Sequence, residues 1–320
     1  MNYILLIVGF VLLIKGADFF VDGAAAIAKK MGIPAMVVGL TIVSLGTSAP
    51  ELAISTISSI QGNNGIAIGN VLGSNIFNTL VVLGVSSILA PLIIKKAPVV
   101  KDFAVNLIIT LILFVMAFDG LLGAGEDIIS RGDGIILLIL CISYMAYIVI
   151  SARNNPEVCV DEEAANIKVL PKVIISIVGV AGIVFGGQIV VDSAKEIALS
   201  LGMSEKLVGL TIVAIGTSLP ELVTSVVAVL KKENDIALGN VLGSNTFNIL
   251  LILGVSSGIN PIAVSPSLAM DFIFLIGITL LMIGIIFFNR KSQEKVLSKK
   301  EGILFVALYI AYTVYIIMRN

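Results

Sequence analysis

Long apolar stretches separated by short polar segments run along the whole chain. A membrane-spanning helix needs about 20 mostly apolar residues, and stretches of about this length occur ten times. They are predicted near residues 2–28, 33–59, 65–90, 103–119, 133–151, 172–198, 204–230, 235–259, 268–288 and 302–318. The pattern therefore predicts an all-α membrane protein with ten transmembrane helices.

The composition supports a membrane protein and excludes several classes of function. Apolar residues make up 58% and charged residues 13% of the chain, and the mean hydropathy is +1.11, whereas globular chains have about 45–50% and 25%. The chain has no histidine, which rules out Ser-His-Asp and Cys-His catalysis. Its two cysteines form no metal-ligand pattern, and its net charge of -1 offers nucleic acid no basic surface. We expect no enzyme activity, no cofactor and no obligatory protein partner.

Two motifs recur along the chain with an offset of 170 residues. Gly-Thr-Ser-Ala-Pro-Glu-Leu at 46–52 returns as Gly-Thr-Ser-Leu-Pro-Glu-Leu at 216–222, and residues 66–85 share 15 of 20 positions with 236–255. The second pair contains the Gly-Ser-Asn-x-x-Asn motif. Such self-similarity predicts two copies of one five-helix unit, at 1–151 and 172–320. The segment 152–171, which contains Asp161, Glu162 and Glu163, is predicted to be an acidic cytoplasmic linker.

Five spans per repeat is an odd number, so the second repeat must cross the membrane in the opposite direction to the first. With the N-terminus outside, 15 of the 20 Lys and Arg residues fall on the cytoplasmic side, as the positive-inside rule requires. The sequence thus predicts inverted repeats in a multi-pass protein of the cell membrane, with both termini outside. Inverted repeats with binding groups at the midplane are a common construction of secondary transporters.

A proline and a carboxylate stand together near the middle of the second and seventh spans. Pro50 and Pro220 have no N–H and crowd the preceding turn, so backbone carbonyls become available at that depth. Glu51 and Glu221 follow directly. A charge at this depth costs at least about 2.5–3.5 kcal/mol and marks a functional site. Because the inverted symmetry should bring the two carboxylates together, we expect a divalent cation between them, although protonated structural carboxyls remain an alternative.

Neutral oxygen donors surround this pair in both repeats. They are the carbonyls of Thr47 and Thr217, the hydroxyls of Ser48, Ser218, Ser74 and Ser244, and the amides of Asn78 and Asn248. Several oxygens in a flexible arrangement suit calcium, which takes about 6–8 ligands, and sodium could occupy subsets of them. The same serine and asparagine side chains could instead join helices by hydrogen bonds. From the positions of these oxygen donors we expect helices 2, 3, 7 and 8 to be broken around an ion site at the membrane midplane.

The paired Gly-Thr-Ser-x-Pro-Glu and Gly-Ser-Asn-x-x-Asn motifs resemble the alpha repeats of the sodium/calcium exchanger family, within the cation/calcium antiporter superfamily. The resemblance covers the whole transmembrane chain. It implies ten helices, exchange of about three sodium ions for one calcium, and sliding of the first span of each repeat. It also implies a calcium site of Glu51, Glu221 and the carbonyls of Thr47 and Thr217. Sodium sites would use Ser48, Ser74, Ser218 and Ser244 with the carbonyls of Ser44 and Ala214.

At some motif positions this sequence differs from related exchanger families, and these differences limit which ions we expect it to transport. Potassium-dependent relatives have an aspartate where this chain has Asn78 or Asn248, so we expect no potassium requirement. Calcium/proton exchangers carry a further acid in the Gly-Asn motif, which is absent here. A calcium/proton or other divalent cation antiporter remains an alternative, and a cation channel is a third reading. Asp102 and Asp271 are predicted to be solvated interfacial charges.

Overall fold

A computed structural model describes residues 2–122, 127–154, 168–202, 214–287 and 294–319. In these ranges almost every long apolar stretch is helical. The helices are α1 (Asn2–Met31), α2 (Ala35–Val38), α3 (Ser44–Thr47), α4 (Ala49–Ile60), α5 (Asn64–Phe77), α6 (Leu83–Leu89), α7 (Lys96–Ala117), α8 (Arg131–Asn154), α9 (Val169–Ser200), α10 (Ala214–Gly216), α11 (Leu219–Leu230), α12 (Asn234–Phe247), α13 (Gly254–Ile259), α14 (Leu268–Phe287) and α15 (Lys299–Arg319).

Three π-helical segments and a short 3₁₀ helix join some of these helices. The π segments, Gly39–Val43, Asn78–Val82 and Asn248–Leu253, connect α2 to α3, α5 to α6 and α12 to α13. The 3₁₀ helix is Asp119–Leu122. Each π segment therefore continues a helix with one wider turn, as often occurs at functional sites.

Eight helical segments in the described ranges are long and apolar enough to cross a membrane. A ninth is obtained when Ala35–Thr47 and Ala49–Ile60, which meet at an angle of 48°, are counted as one span. The chain is thus a multi-pass α-helical membrane protein. Part of the predicted span 204–230 and the acidic residues of the predicted linker lie outside the described residues, so the count of ten stays a prediction.

Contacts divide the chain into two compact units, and each half of the sequence contributes to both. The first unit comprises Met1–Pro50 and Ile148–Gly243, and the second comprises Glu51–Tyr147 and Ser244–Asn320.

In the first unit, α1 and α9 pack antiparallel along a line of glycines. A Cβ atom on Gly16 would lie 2.6 Å from the backbone nitrogen of Ile183, and one on Gly179 would lie 2.6 Å from that of Phe20. A Cβ on Gly186 would likewise meet the nitrogen of Leu13. Only glycine permits so close a backbone approach, so the two long helices form a tightly packed pair.

In the second unit, glycines and aromatic rings hold the helices together. Gly84 of α6 faces the carbonyl oxygen of Gly302 on α15, since a Cβ there would lie 3.1 Å away. The rings of Phe114, Phe118 and Phe272 contact one another with centroids 5.0–5.8 Å apart. The apolar faces of α7 and α14 thus share one aromatic cluster.

Short strands, which the hydrophobic pattern did not predict, join loops of the second unit. Strand β1 (Leu92–Lys95) pairs antiparallel with β4 (Glu294–Leu297), and β2 (Ile128–Ile129) pairs with β3 (Ile262–Ala263). Each pairing joins a loop of one sequence half to a loop of the other half: β1 and β3 are equivalent under the 170-residue offset, and each pairs with a strand from the next loop of the opposite half.

The prediction that Asp271 is solvated was wrong. Its side chain is buried, with the residue 3% exposed, and both carboxylate oxygens bond to the guanidinium of Arg319 at 3.2 and 3.0 Å. The hydroxyl of Tyr312 donates to the same carboxylate at 3.0 Å. A buried charge needs a partner of this kind, and the arginine that supplies it lies 48 residues away in sequence, beyond the reach of local pattern analysis.

Candidate ion-binding site

Both copies of the Gly-Thr-Ser-x-Pro-Glu motif interrupt a helix at the same point. Helix α3 ends at Thr47, Ser48 has φ -83° and ψ 7°, and α4 begins at Ala49. In the second copy α10 ends at Gly216, Ser218 has φ -93° and ψ 6°, and α11 begins at Leu219. A proline in the first turn of each new helix fits this geometry, because the first N–H groups of a helix have no partner within it.

Each carboxylate of the motif lies in the first turn of its helix and is buried. Glu51 is 1% exposed in α4, and Glu221 is 0% exposed in α11. The partial positive charge of a helix N-terminus favours an ionised carboxylate there. The local fold thus places each acidic side chain at a helix N-terminus and away from solvent.

The two motif copies meet in the first unit. The hydroxyl of Ser48 donates to Oε1 of Glu221 at 2.9 Å. The hydroxyl of Thr47 donates to Oδ1 of Asn240 at 3.0 Å, and Asn240 Nδ2 lies 3.4 Å from the Glu221 carbonyl. Residues from the first repeat therefore hold the Glu221 segment of the second.

A close approach of two helices makes these bonds possible. A Cβ on Gly39 would lie 2.6 Å from the carbonyl oxygen of Ile236, and one on Gly239 would lie 2.6 Å from that of Met36. A Cβ on Gly243 would lie 2.6 Å from the Leu40 carbonyl. The Gly-x-x-x-Gly spacing of α12 therefore serves close packing, which brings Asn240 within reach of Thr47.

One hydrogen bond recurs in both repeats. Asn70 Nδ2 donates to Ser55 Oγ at 3.1 Å in the second unit, and Asn240 Nδ2 donates to Ser225 Oγ at 3.0 Å in the first. Both residues of the second bond are 170 positions beyond those of the first. The repeated sequence thus folds with the same local contact in each copy.

The Gly-Ser-Asn-x-x-Asn motifs form a buried cluster of amides in the second unit. Asn78 Nδ2 donates to Oδ1 of Asn245 at 3.2 Å, and Asn248 Nδ2 donates to Oδ1 of Asn75 at 3.0 Å. The two bonds are equivalent under the 170-residue offset. Asn245 also donates to Thr79 at 3.0 Å, and Asn75 donates to the Asn245 carbonyl at 3.1 Å. These bonds fix the orientation of all four amides.

The fixed orientation leaves the side-chain oxygens of Asn78 and Asn248 without a hydrogen-bond partner, although both atoms are buried. An unsatisfied buried oxygen costs free energy of about 1–3 kcal/mol. A cation is the partner that an amide oxygen can accept when no donor is present. Both residues were predicted from sequence as ligands, and their geometry is compatible with that role.

The twelve predicted ligands are divided between the two units. The first unit contains Ser44, Thr47, Ser48, Ala214, Thr217, Ser218 and Glu221, and the second contains Glu51, Ser74, Asn78, Ser244 and Asn248. Ser44, Ser74, Thr217, Ser218 and Ser244 are at most 5% exposed. The Ser44 carbonyl oxygen lies 3.3 Å from the Thr47 hydroxyl and is an alternative acceptor for its proton. Ala214 begins α10.

Sequence reasoning missed the residues that orient the predicted ligands. Asn75, Asn245 and Asn240 stand within the repeated motifs, yet no role was predicted for them. The signal was present, because all three are identical to their partners in the other repeat. Identity alone, however, does not separate an amide that faces an ion from one that holds its neighbour.

A salt bridge at one end of α11 was also missed. The ammonium of Lys231 contacts the carboxylates of Asp18 and Asp22 in α1 at 2.5 and 2.6 Å. Burial opposes the charge of Lys231, but its bonds to these two carboxylates outweigh burial and raise its pKa. This ion pair links the first long helix to the helix that carries Glu221.

Comparison with known proteins gives the same family for both halves of the chain. The family model described as sodium/calcium exchanger protein matches residues 1–151 and 172–318. The chain belongs to the sodium/calcium exchanger family. The match leaves out residues 152–171, where the sequence predicts the linker.

Relatives of similar length support this membership of the sodium/calcium exchanger family. The chain is 32% identical to sodium/calcium exchanger MaX1 of Methanosarcina acetivorans, with 98% of this chain and 97% of that protein aligned. It is 36% identical to the putative antiporter CaxA of Alkalimonas amylolytica, over 97% and 96% of the two chains.

Solved exchanger structures have the same fold. The sodium/calcium exchanger of Methanococcus jannaschii superposes with a TM-score of 0.81 at 33% identity, covering 98% of this chain and 97% of that one. A structure of that exchanger soaked with 2.5 mM sodium and 0.1 mM calcium gives a TM-score of 0.80 at 34% identity, over 97% and 96%.

Proposed function

We propose that this protein is a secondary antiporter that exchanges sodium for calcium across the cell membrane. The observation that carries this proposal is the bond from Ser48 to the buried Glu221, which joins the acidic motifs of the two repeats. The family and the relatives named sodium/calcium exchangers support it.

The proposed calcium ligands are Glu51 and Glu221 with the carbonyls of Thr47 and Thr217. The proposed sodium ligands are Ser48, Ser74, Ser218 and Ser244 with the carbonyls of Ser44 and Ala214. Asn78 and Asn248 add amide oxygens, whose lack of hydrogen-bond partners supports this role. Carboxylates and neutral oxygens are the donors that calcium prefers.

The charge of this donor set determines the electrical character of exchange. Two carboxylates give the site a charge of -2, which one calcium ion cancels. Three sodium ions would leave one positive charge, so exchange of about three sodium ions for one calcium is electrogenic. A negative interior then assists calcium export by about 2.3 kcal/mol per charge per 100 mV.

We further propose ten transmembrane helices in two inverted five-helix repeats, with helices 2 and 7 broken at Ser48 and Ser218, helices 3 and 8 continuing through their π segments, and both termini outside. The nine described spans, the 48° bend after Thr47 and the matching break at Ser218 support this arrangement. Alternating access would follow from sliding of α1 and α9, which pack together along their glycines. Neither a resident cofactor nor potassium is required in this proposal.

Calcium flux in proteoliposomes tests the function. Sodium-loaded vesicles should take up radiolabelled calcium, and uptake should stop without internal sodium and rise with an inside-positive potential. Glu51→Gln and Glu221→Gln should abolish uptake, whereas Glu196→Gln, an exposed control on α9, should retain it. Parental uptake by either site variant would refute the ligand assignment.

The same assay separates the alternatives. Uptake driven by an outwardly directed proton gradient in sodium-free vesicles would identify a calcium/proton exchanger. Uptake that needs no opposing ion gradient would identify a channel. Manganese or strontium can replace calcium in the same experiment to test for a broader divalent cation antiporter.

A further inference from the structure

An apolar groove runs along the outside of the α1 and α9 pair in the first unit. Its volume is about 570 Å³, and it is lined by residues of α1, α9, α2 and the π segment after α2. The side chains of Ile177, Phe185 and Ile42 on its walls are 63%, 67% and 51% exposed. Because these helices cross the membrane, the groove opens toward lipid.

The length of the groove matches one acyl chain. Its lining on α9 runs from Val173 to Phe185, which at a rise of about 1.5 Å per residue is about 18 Å. One leaflet contributes about half of the roughly 30 Å hydrocarbon core. A single lipid chain inserted along the groove would therefore extend to about the depth of Phe185.

One end of the groove is basic. A Cβ on Gly23 would lie 2.8 Å from the carbonyl oxygen of Lys172, so the last turns of α1 and the first turns of α9 lie side by side. Lys29 and Lys30 end α1, while Lys168 and Lys172 lie at the start of α9. Four lysines therefore stand at the end where Val173 and Ile27 line the groove, with Glu233 close to Lys29.

We propose that this groove is a binding site for one anionic phospholipid, with an acyl chain along α9 and the phosphate at the lysines. The apolar walls exclude a polar ligand, and the lysine cluster complements an anionic headgroup. Each lysine near an anionic lipid surface strengthens binding about fivefold. Lys168 and Lys172 contribute most because they precede the groove wall directly.

The chain has no tryptophan, so a single introduced tryptophan reports lipid contact. Phe185→Trp places the reporter at the far end of the groove, and Ile142→Trp on α8, where Ile142 is 70% exposed, reports on ordinary lipid contact. Both proteins are reconstituted in phosphatidylcholine with increasing fractions of brominated phosphatidylglycerol or brominated phosphatidylcholine. Bromine quenches tryptophan fluorescence at short range.

Equal quenching of the Phe185→Trp reporter should need less brominated phosphatidylglycerol than brominated phosphatidylcholine, by a factor of about five or more. The Ile142→Trp control should respond equally to both lipids. If the two brominated lipids quench the Phe185→Trp reporter equally, as they quench the Ile142→Trp control, the proposal is overturned, because the groove then has no preference for an anionic headgroup.

Charge variants test the headgroup site. In the Phe185→Trp background, Lys168→Gln with Lys172→Gln should remove the preference for phosphatidylglycerol, whereas Lys168→Arg with Lys172→Arg should retain it. Lys300→Gln, which changes a lysine of α15 in the second unit, should retain it as well. High salt should weaken the preference in the unaltered lysine background, which avoids dependence on the folding of any lysine variant. A preference that survives both the glutamine changes and high salt would contradict the assignment to these lysines.

Discussion

Ser48 donates a hydrogen bond of 2.9 Å to the buried carboxylate of Glu221, which stands 173 residues later in the chain. One residue belongs to the acidic motif of the first repeat and the other to that of the second. The bond shows that folding brings the two motifs together, and it makes Ser48 the first residue to test beyond the carboxylates.

We expect Ser48→Ala to weaken sodium activation of exchange, because Ser48 is a proposed sodium ligand that also contacts the Glu221 carboxylate. Loss of one such polar contact to a charged group costs about 1.5–3 kcal/mol, so the sodium concentration for half-maximal flux should rise about tenfold or more. Calcium uptake measured against internal sodium concentration in proteoliposomes gives this value. Ser143→Ala is the control, since Ser143 is exposed on α8 and bonds to the Ile139 carbonyl. An unchanged sodium dependence in Ser48→Ala would remove Ser48 from the sodium site.

The bond between Asn248 and Asn75 should act as a unit in ion binding. If Asn75 orients the Asn248 amide, the double variant Asn75→Ala with Asn248→Ala should weaken calcium activation by less than the sum of the effects of the two single variants. Asn106→Ala is the control, because Asn106 bonds to Thr246 at 3.1 Å in the same unit and should lower thermal stability without changing calcium dependence. Additive effects of the first pair would show that Asn75 acts independently of Asn248.

The glycine line between α1 and α9 should not tolerate a methyl group. In Gly16→Ala the new Cβ would lie 2.6 Å from the Ile183 nitrogen and 2.8 Å from the Gly179 carbonyl, so the backbones must separate. We expect a loss of about 1–3 kcal/mol in stability with reduced flux, measured by thermal unfolding in detergent and by calcium uptake. Gly277→Ala in α14 is the matched control, because a Cβ there meets no atom within 4 Å; it should be neutral or slightly stabilising.

The loop between α11 and α12 should make stability depend on pH. Burial raises the pKa of Glu233; Asp235 and Asp22 add to this effect and Lys29 opposes it. When folding raises the pKa of a carboxyl group, the folded protein loses stability as the pH rises above the ordinary pKa of that group, which is 4.5 for glutamate. Glu233→Gln should therefore gain stability relative to the parent as pH rises from 4 to 7, as measured by thermal unfolding. A constant difference between the two proteins over this range would contradict the prediction, and Glu196→Gln controls for the loss of one negative charge.

Much of the architecture follows from local chemistry. Eight of the predicted spans correspond to continuous described helical segments, because the cost of exposing backbone groups to lipid leaves a long apolar stretch few alternatives to a helix. The burial of Glu51 and Glu221 followed from their place in the middle of apolar spans. The helix breaks before them followed from Pro50 and Pro220, which remove a backbone donor.

The orientation of side chains could not be read in the same way. Asn75 and Asn78 are the same residue type in one motif, but Asn75 holds Asn248 while the Asn78 oxygen is left without a hydrogen-bond partner. The residues next to Asp271 in sequence do not distinguish it from a solvated interfacial acid, and its contact with Arg319 is what accounts for its burial. In each case the partner comes from a distant segment.

The sequence by itself determined that the chain is a membrane protein, where eight of its spans run, that two motifs recur 170 residues apart, and that Glu51 and Glu221 are buried. These properties depend on hydropathy, repetition and the chemistry of single residues. Only the tertiary structure decided that Ser48 meets Glu221, that four asparagines orient one another, that Lys231 binds α1 and that a groove lies beside four lysines. The physical reason is that a hydrogen bond or an ion pair depends on distance and direction, which are established only when distant helices pack.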